Sequence, residues 1–233
     1  MTAAPRLLIA MTTADRSPGA SYVGATLRAL AAQGVPRDVL HVFPTDPSTA
    51  WLEQQARGVA VTVHCPARRL TRNENGLAAM TGLPRCDWVL HLEDDLVFCA
   101  EFVDRVLRWL DQQADGHRGY NLCPLSSPPR PPAGSAWEEP REANGAMAIA
   151  LRWSDAHAFG RWAVTRLKTW RLGRSTPWRV CGFDVLVREW TGPLLASMPA
   201  LAQHVGDESL THRFRHRRIK RSSCFSGPEG RDA

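Results

Sequence analysis

The sequence predicts an α/β fold: a mainly parallel central sheet with helices on both faces. Three observations carry this expectation. Strand and helix patterns alternate as βαβαβαβα through the first half of the chain. The strand candidates are short, continuous apolar runs, as expected of strands covered on both sides. The length of 233 residues, with 44% hydrophobic and 22% charged residues, suits one large globular domain and excludes general disorder.

The elements follow in order. Leu7–Met11 reads as the first buried strand. Ser21–Gln33 places Val23, Leu27, Leu30 and Ala31 at helical spacing, and Gly34 ends it. Val39–Phe43 is the second strand. Asp46-Pro47 resembles an N-cap with proline at the first helical position, opening a helix through Arg57. Val59–His64 alternates as a third strand. Arg72–Thr81 is helical, Trp88–Leu92 is a fourth strand, and Phe102, Val103, Val106, Leu107 and Leu110 mark the next helix.

The second half is organised differently. Pro124–Pro140 holds six of the 17 prolines and is expected to contain no regular element, as a linker or a functional flap. Beyond it, Gly145–Arg152 reads as a strand, Asp155–Trp170 and Phe183–Trp190 as helices, and Leu201–Val205 as a last strand.

Composition narrows the setting. No apolar run approaches the ~20 residues of a membrane span. No secretory h-region is evident, so a cytoplasmic protein is expected. The six cysteines form no C-x-x-C pair and several lie in apolar runs, so they read as reduced and mostly buried. The excess of positive charge is local. The segment His212–Arg221 contains six Lys or Arg and no acid, and without it the positives equal the 23 acids. Such a cluster suits phosphate, nucleic acid or an acidic surface; it is also what a solvated tail looks like.

The most informative stretch is Trp88–Phe98, WVLHLEDDLVF. A hydrophobic strand ends in Glu93, Asp94 and Asp95. Adjacent carboxylates repel, and at a buried strand end a cation would compensate them. Hard divalent ions take oxygen ligands and commonly bridge to substrate phosphates. In open α/β sheets ligands bind beyond the carboxyl ends of the strands, where this triplet lies.

The strand-EDD pattern resembles the metal-binding DxD-type motif of GT-A glycosyltransferases. Residues 11–30, MTTADRSPGASYVGATLRAL, resemble the first strand and helix of the N-acetylglucosaminyltransferase IV family, with its T-x-x-R and S-Y-x-x-x-T-L-x-x-L pattern. Residues 67–76, ARRLTRNENG, resemble the Arg-Asn-x-x-Gly helix start of many GT-A enzymes. Residues 203–210, QHVGDESL, resemble that family's Gln-His-Val-Gly segment.

The resemblance implies a Rossmann-like GT-A domain over residues 1–233. Its parts would be a nucleotide-sugar half (1–123), a proline-rich flexible loop (124–142), an acceptor and catalytic half (143–211) and a basic tail (212–233). It implies an inverting sugar transfer from a nucleotide-sugar, UDP-linked and of the UDP-GlcNAc kind, with Mn²⁺ or Mg²⁺. Thr12, Thr13 and Arg16 would meet the base and ribose, and Arg72 and Asn73 the pyrophosphate. Asp95 would bind the metal, with Glu93 and Asp94 orienting ribose, sugar or metal-bound water. His204 would be a second metal ligand or a diphosphate contact. An inverting transfer needs a base for the acceptor hydroxyl. Asp184, in CGFDVLV, is the candidate, with Asp207 and Glu208 as runners-up; Asp184 also suits a helix cap. Trp137, in the proline-rich loop, is the candidate acceptor platform, whereas Trp153, Trp162, Trp170 and Trp178 read mostly as core.

The animal members of that family are longer Golgi membrane proteins, and no anchor is expected here. A bacterial or phage-encoded cytoplasmic setting follows. The acceptor would be a carbohydrate, a small molecule or a modified base in DNA, the last suggested by the basic tail. Two other functions are compatible with the pattern: a nucleotidyltransferase on a similar sheet, and a non-enzymatic nucleic-acid-binding protein built on that tail.

Overall fold

The computed structural model describes residues 5–15, 21–113, 116–124, 136–139, 147–172, 182–205, 225 and 227, with the side chains of 169–172 excepted. Arg16, Asp207, Glu208, Trp178, the Trp170 side chain, Cys181, Cys224 and the basic tail lie outside these residues.

The first half builds a parallel sheet from β1 (Leu7–Thr13), β2 (Leu40–Pro44), β3 (Thr62–Val63) and β4 (Trp88–Glu93). After β4 come a short strand, β5 (Leu96–Phe98), then β6 (Tyr120–Asn121), β7 (Ala136–Glu138), β8 (Ala148–Arg152), β9 (Leu195–Ser197) and β10 (Ala202–His204). Eight strands form one sheet in the order β3-β2-β1-β4-β8-β6-β9-β7, and β5 and β10 form a separate antiparallel ribbon. Direction reverses where β8 enters antiparallel between β4 and β6.

Side chains alternate across β1. Leu7, Ile9 and Met11 face a core shared with α1 (Val23–Ala32), α2 (Ala50–Gln55) and α4 (Phe102–Gln112). Leu8 and Ala10 face a second core shared with α3 (Arg72–Thr81), α5 (Trp153–Leu172) and α6 (Phe183–Thr191). The period-two pattern of a strand thus feeds two layers of helices. Each fully buried Leu or Ile there contributes about 1.5–3 kcal/mol.

Helix α3 shows how local sequence sets a boundary. Thr71 accepts from the Glu74 amide at 3.3 Å, and the Glu74 side chain accepts from the Thr71 amide at 2.8 Å. This reciprocal capping box fixes the helix start.

Several expectations need correction. Helix α2 starts at Ala50 after Thr49, not at Asp46-Pro47. Asp46 instead accepts from the Thr45 hydroxyl at 2.9 Å and pairs with Arg69 at 3.1 Å, which leaves it unavailable as a cap. The third strand contracts to Thr62–Val63, and the strand expected over Gly145–Arg152 is described from Ala148. The proline-rich stretch does contain an element: Ala136–Glu138, between Pro132 and Pro140, pairs antiparallel with β9 as the sheet's edge. Among the described cysteines, Cys86, Cys99 and Cys123 are buried, Cys65 is exposed, and all are free thiols. No helix among the described residues is long and apolar enough to cross a membrane.

Candidate active site

The carboxyl ends of β1 and β4 lie side by side, with Thr12 in register with Glu93. Thr13 donates its hydroxyl to Asp94 Oδ2 at 2.5 Å. On α1, Thr26 donates to the Asp94 carbonyl at 2.7 Å and accepts from the Leu96 amide at 3.3 Å. The acidic turn is therefore held from both sides before any ligand binds. Thr12 Oγ1 lies 3.1 Å from His91 Nε2, one pleat below Glu93.

The three carboxylates do not converge. Each has a different partner. Glu93 Oε1 accepts from Arg72 Nη2 at 2.5 Å. Asp94 is buried against Thr13. Asp95 Oδ2 lies 3.0 Å from His204 Nε2. The repulsion expected of an acidic triplet is relieved by distribution among an arginine, a hydroxyl and an imidazole.

Arg72 is the first residue of α3, so the capping box at Thr71 and Glu74 places it at the strand ends. The Glu93 charge raises the guanidinium pKa above its ordinary value, with burial opposing; the hydrogen bond to Glu93 and then the charges of Asp184 and Asp95 raise it further. Arg72 thus stands in the field of all three acids. Gly76, one turn on, makes this possible. A Cβ there would come within 2.5–2.8 Å of the Phe183 ring. Its absence lets α6 press against α3 and brings Asp184 towards Arg72. A Cβ at Gly182 would lie 2.2 Å from Asp184 Oδ1, so any side chain there would displace this carboxylate.

His204 arrives from the other end of the chain. Strand β10 pairs with β5, setting His204 against Leu96, and the Val205 amide donates to the Asp95 carbonyl at 2.9 Å. Asn73 is half-buried beside Arg72. Trp137 is not brought to this group. It is half-buried on β7, four strands from β4, about 19 Å at the usual strand spacing. Trp153 and Trp162 pack against the α3–α5–α6 core, as expected.

The structure also shows a buried polar group that sequence reasoning missed. Arg188 Nη2 and Glu139 Oε2 pair at 2.8 Å with side chains 6% and 1% exposed. Asn121 Nδ2 donates to the same Glu139 oxygen at 2.8 Å, and Asn121 Oδ1 accepts from the Cys123 amide at 3.0 Å. Burial pushes the Cys123 thiol up to about 12, against a hydrogen bond to the His204 backbone; the charges of Glu93, Asp95 and Glu139 add to the rise. No local pattern marks Glu139 or Arg188. The only hint is an acidic pair, Glu138-Glu139, stranded in a proline-rich stretch.

Among the described residues no group of three or more His, Cys, Asp or Glu side chains is gathered as a metal cage. One carboxylate and one imidazole, Asp95 and His204, are the paired donors. That set suits a divalent ion whose other positions go to water and substrate phosphates.

No protein-family model matches the chain, and no curated protein does. Solved structures do. The galactosyltransferase LgtC, with donor and acceptor sugar analogues, superimposes at TM-score 0.55 and 11% identity, over 89% of this chain and 90% of its own. S. aureus TarS 1–349 in complex with UDP-GlcNAc does so at 0.54 and 12% identity, over 88% of this chain. The chain spans 59% of the length of that TarS structure. The 4-diphosphocytidyl-2C-methyl-D-erythritol synthase from Anaerococcus prevotii matches at 0.51 and 9% identity, over 90% of this chain and 94% of its own. At these identities the likeness establishes the GT-A type of α/β fold. It gives no support to the narrower N-acetylglucosaminyltransferase IV resemblance.

Proposed function

We propose that the chain is a metal-dependent, inverting glycosyltransferase that uses a nucleotide-sugar donor, UDP-linked and of the UDP-GlcNAc kind. One observation carries the reading: at the carboxyl edge of the parallel strands Arg72 bonds Glu93 and stands in the field of Asp95 and Asp184, while Asp95 pairs with His204. The likeness in fold to LgtC and TarS supports it.

Thr12, Thr13 and Asp94 shape the pocket for the nucleoside, and Arg16 would extend it. Arg72 and Asn73, at the start of α3, hold the diphosphate, where the helix N-terminus also favours negative charge. Glu93 aims Arg72. Asp95 and His204 would hold the divalent ion, Mn²⁺ suiting the imidazole better than Mg²⁺. Bound there, such an ion supplies Lewis-acid stabilisation of negative charge on the leaving diphosphate. Asp184 accepts the proton of the acceptor hydroxyl as that oxygen attacks the anomeric carbon and the bond to the diphosphate breaks. The acceptor is a hydroxyl on a carbohydrate or small molecule, received beside Asp184.

The test is a donor screen with Mn²⁺ across UDP-, GDP- and dTDP-sugars, measuring free nucleoside diphosphate. Release that stops with a chelator and in Asp95→Ala supports the reading. Release of pyrophosphate instead would assign a nucleotidyltransferase. Absence of both products and of donor binding would refute it.

A further inference from the structure

We propose that Glu139 and Arg188 are positioning residues that set helix α6, and with it the Asp184 carboxylate, against the Asp95 and His204 side of the site. The inference deepens the glycosyltransferase reading and rests on it for the role of Asp184.

Helix α6 has nine residues, and its N-cap, Gly182, supplies no side-chain cap. A helix this short is not stable by itself and takes its orientation from what it packs against. Two anchors do this. Phe183 wedges onto Gly76 at one end. Arg188, one turn beyond Asp184, grips Glu139 at the other. Asp184 lies between them, half-buried.

The second anchor is ionic although its surroundings are apolar. Leu186, Val187 and Leu194 are fully buried nearby in sequence, and an apolar side chain would suit position 188 for packing alone. A buried ion pair adds little stability over an apolar pair of the same volume. What it adds is direction, because Arg188 Nη2 donates a charge-assisted bond to one Glu139 oxygen, Oε2, which Asn121 Nδ2 also holds. Glu139 is itself fixed. Its amide donates to the Leu194 carbonyl at 2.9 Å, and its carboxylate takes the second bond from Asn121 on β6.

The chain of contacts runs on to the opposite half of the site. Asn121 caps the Cys123 amide, and the Leu122 carbonyl between them accepts from the Leu201 and Ala202 amides at 3.0 Å, at the start of β10. A buried polar line therefore joins α6, which carries the candidate base, to β10, which carries the candidate metal ligand.

The experiment compares five variants with wild type: Arg188→Met, Glu139→Leu/Arg188→Met, Arg188→Lys, Asp184→Asn, and Asp184→Asn added to the double variant. The probes are UDP and UDP-GlcNAc with Mn²⁺, water being the acceptor. Arg188→Met strands a buried carboxylate and should lower Tm by about 10 °C. The double variant should regain Tm to within a few degrees and bind UDP as wild type does. Its kcat for UDP-GlcNAc hydrolysis should fall about 10–100-fold with KM unchanged. Asp184→Asn should cost less kcat in the double variant than in wild type, because both changes act on the same base. Amide hydrogen exchange over residues 183–191 should rise, with β1–β4 unchanged. Arg188→Lys keeps the charge without the fork, folds, and should lose about tenfold in kcat.

A stable double variant with wild-type kcat would overturn the proposal. So would losses that multiply with those of Asp184→Asn, or unchanged exchange over α6. If wild type binds no UDP with Mn²⁺, the glycosyltransferase reading fails, while exchange over α6 still decides whether the pair sets the helix.

Discussion

His204 Nε2 stands 3.0 Å from Asp95 Oδ2, across 109 residues of chain. The contact is made by strand pairing: β10 lies on β5, the strand that follows the acidic turn. If these two donors hold the divalent ion, Asp95→Ala and His204→Ala should each weaken Mn²⁺ binding, read by electron paramagnetic resonance of free Mn²⁺. Turnover should fall by about 10²–10³-fold for Asp95→Ala. Wild-type Mn²⁺ affinity in both variants would place the ion elsewhere.

Arg72 is held by Glu93 and raised by three acids, so it is charged throughout the working pH range. Removal in Arg72→Ala should raise the donor KM about 10–100-fold, the cost of a charge-assisted bond. Arg72→Lys should recover part of this and no more, because the flat fork is lost. Steady-state kinetics with donor varied would show it; an unchanged KM would remove Arg72 from donor binding.

Gly76→Ala places a methyl group within 2.5–2.8 Å of three Phe183 ring carbons. Both residues are buried, so the ring has to shift or α6 has to retreat. The expected loss is about 1–3 kcal/mol in urea unfolding. Gly76→Ala/Phe183→Leu should recover much of it. A neutral single variant would show that the two helices are not locked at this point.

The pair His41 and His64 predicts a pH effect on stability. Their rings are 2.9 Å apart through Nδ1 and Nε2, and His64 stacks on Phe43 at 4.3 Å. Burial lowers the pKa of both; at His41 the Asp38 carbonyl and charge pull partly back, and at His64 the charge of His41 adds to the lowering. The unfolded chain then binds protons at higher pH than the folded chain. Stability from this pair is complete above about pH 6.5 and is lost as pH falls below it. Tm should decline between about pH 7 and 5, and His64→Gln should flatten that decline. Thermal melts across this range, with a slope identical in wild type and variant, would contradict it.

The sequence was legible where local chemistry decides structure. Helix α3 was expected over Arg72–Thr81 and occupies those residues, because Thr71 and Glu74 close their own capping box. The strands β1, β2 and β4 were readable as buried apolar runs, and so was the acidic triplet's place at the carboxyl end of β4. Strands β5, β6 and β9 were not, since two or three residues carry no period and are defined by partners far along the chain. Strand β7 was hidden by the prolines on either side of it, Pro132 and Pro140. The partition of Glu93, Asp94 and Asp95 among Arg72, Thr13 and His204 was equally unreadable, because each partner comes from a different element. Glu139 and Arg188 meet only after β7 and α6 have docked.

The β5–β10 ribbon has a practical corollary for anyone preparing shortened versions of this polypeptide. Halting translation ahead of Ala202 would strip β5 of its sole strand neighbour among the described residues and bare Leu96 and Phe98. An unprotected edge of that kind recruits a sister molecule. Such a fragment would form swapped or clumped species in place of an inactive monomer, so its silence in an assay would say nothing about chemistry.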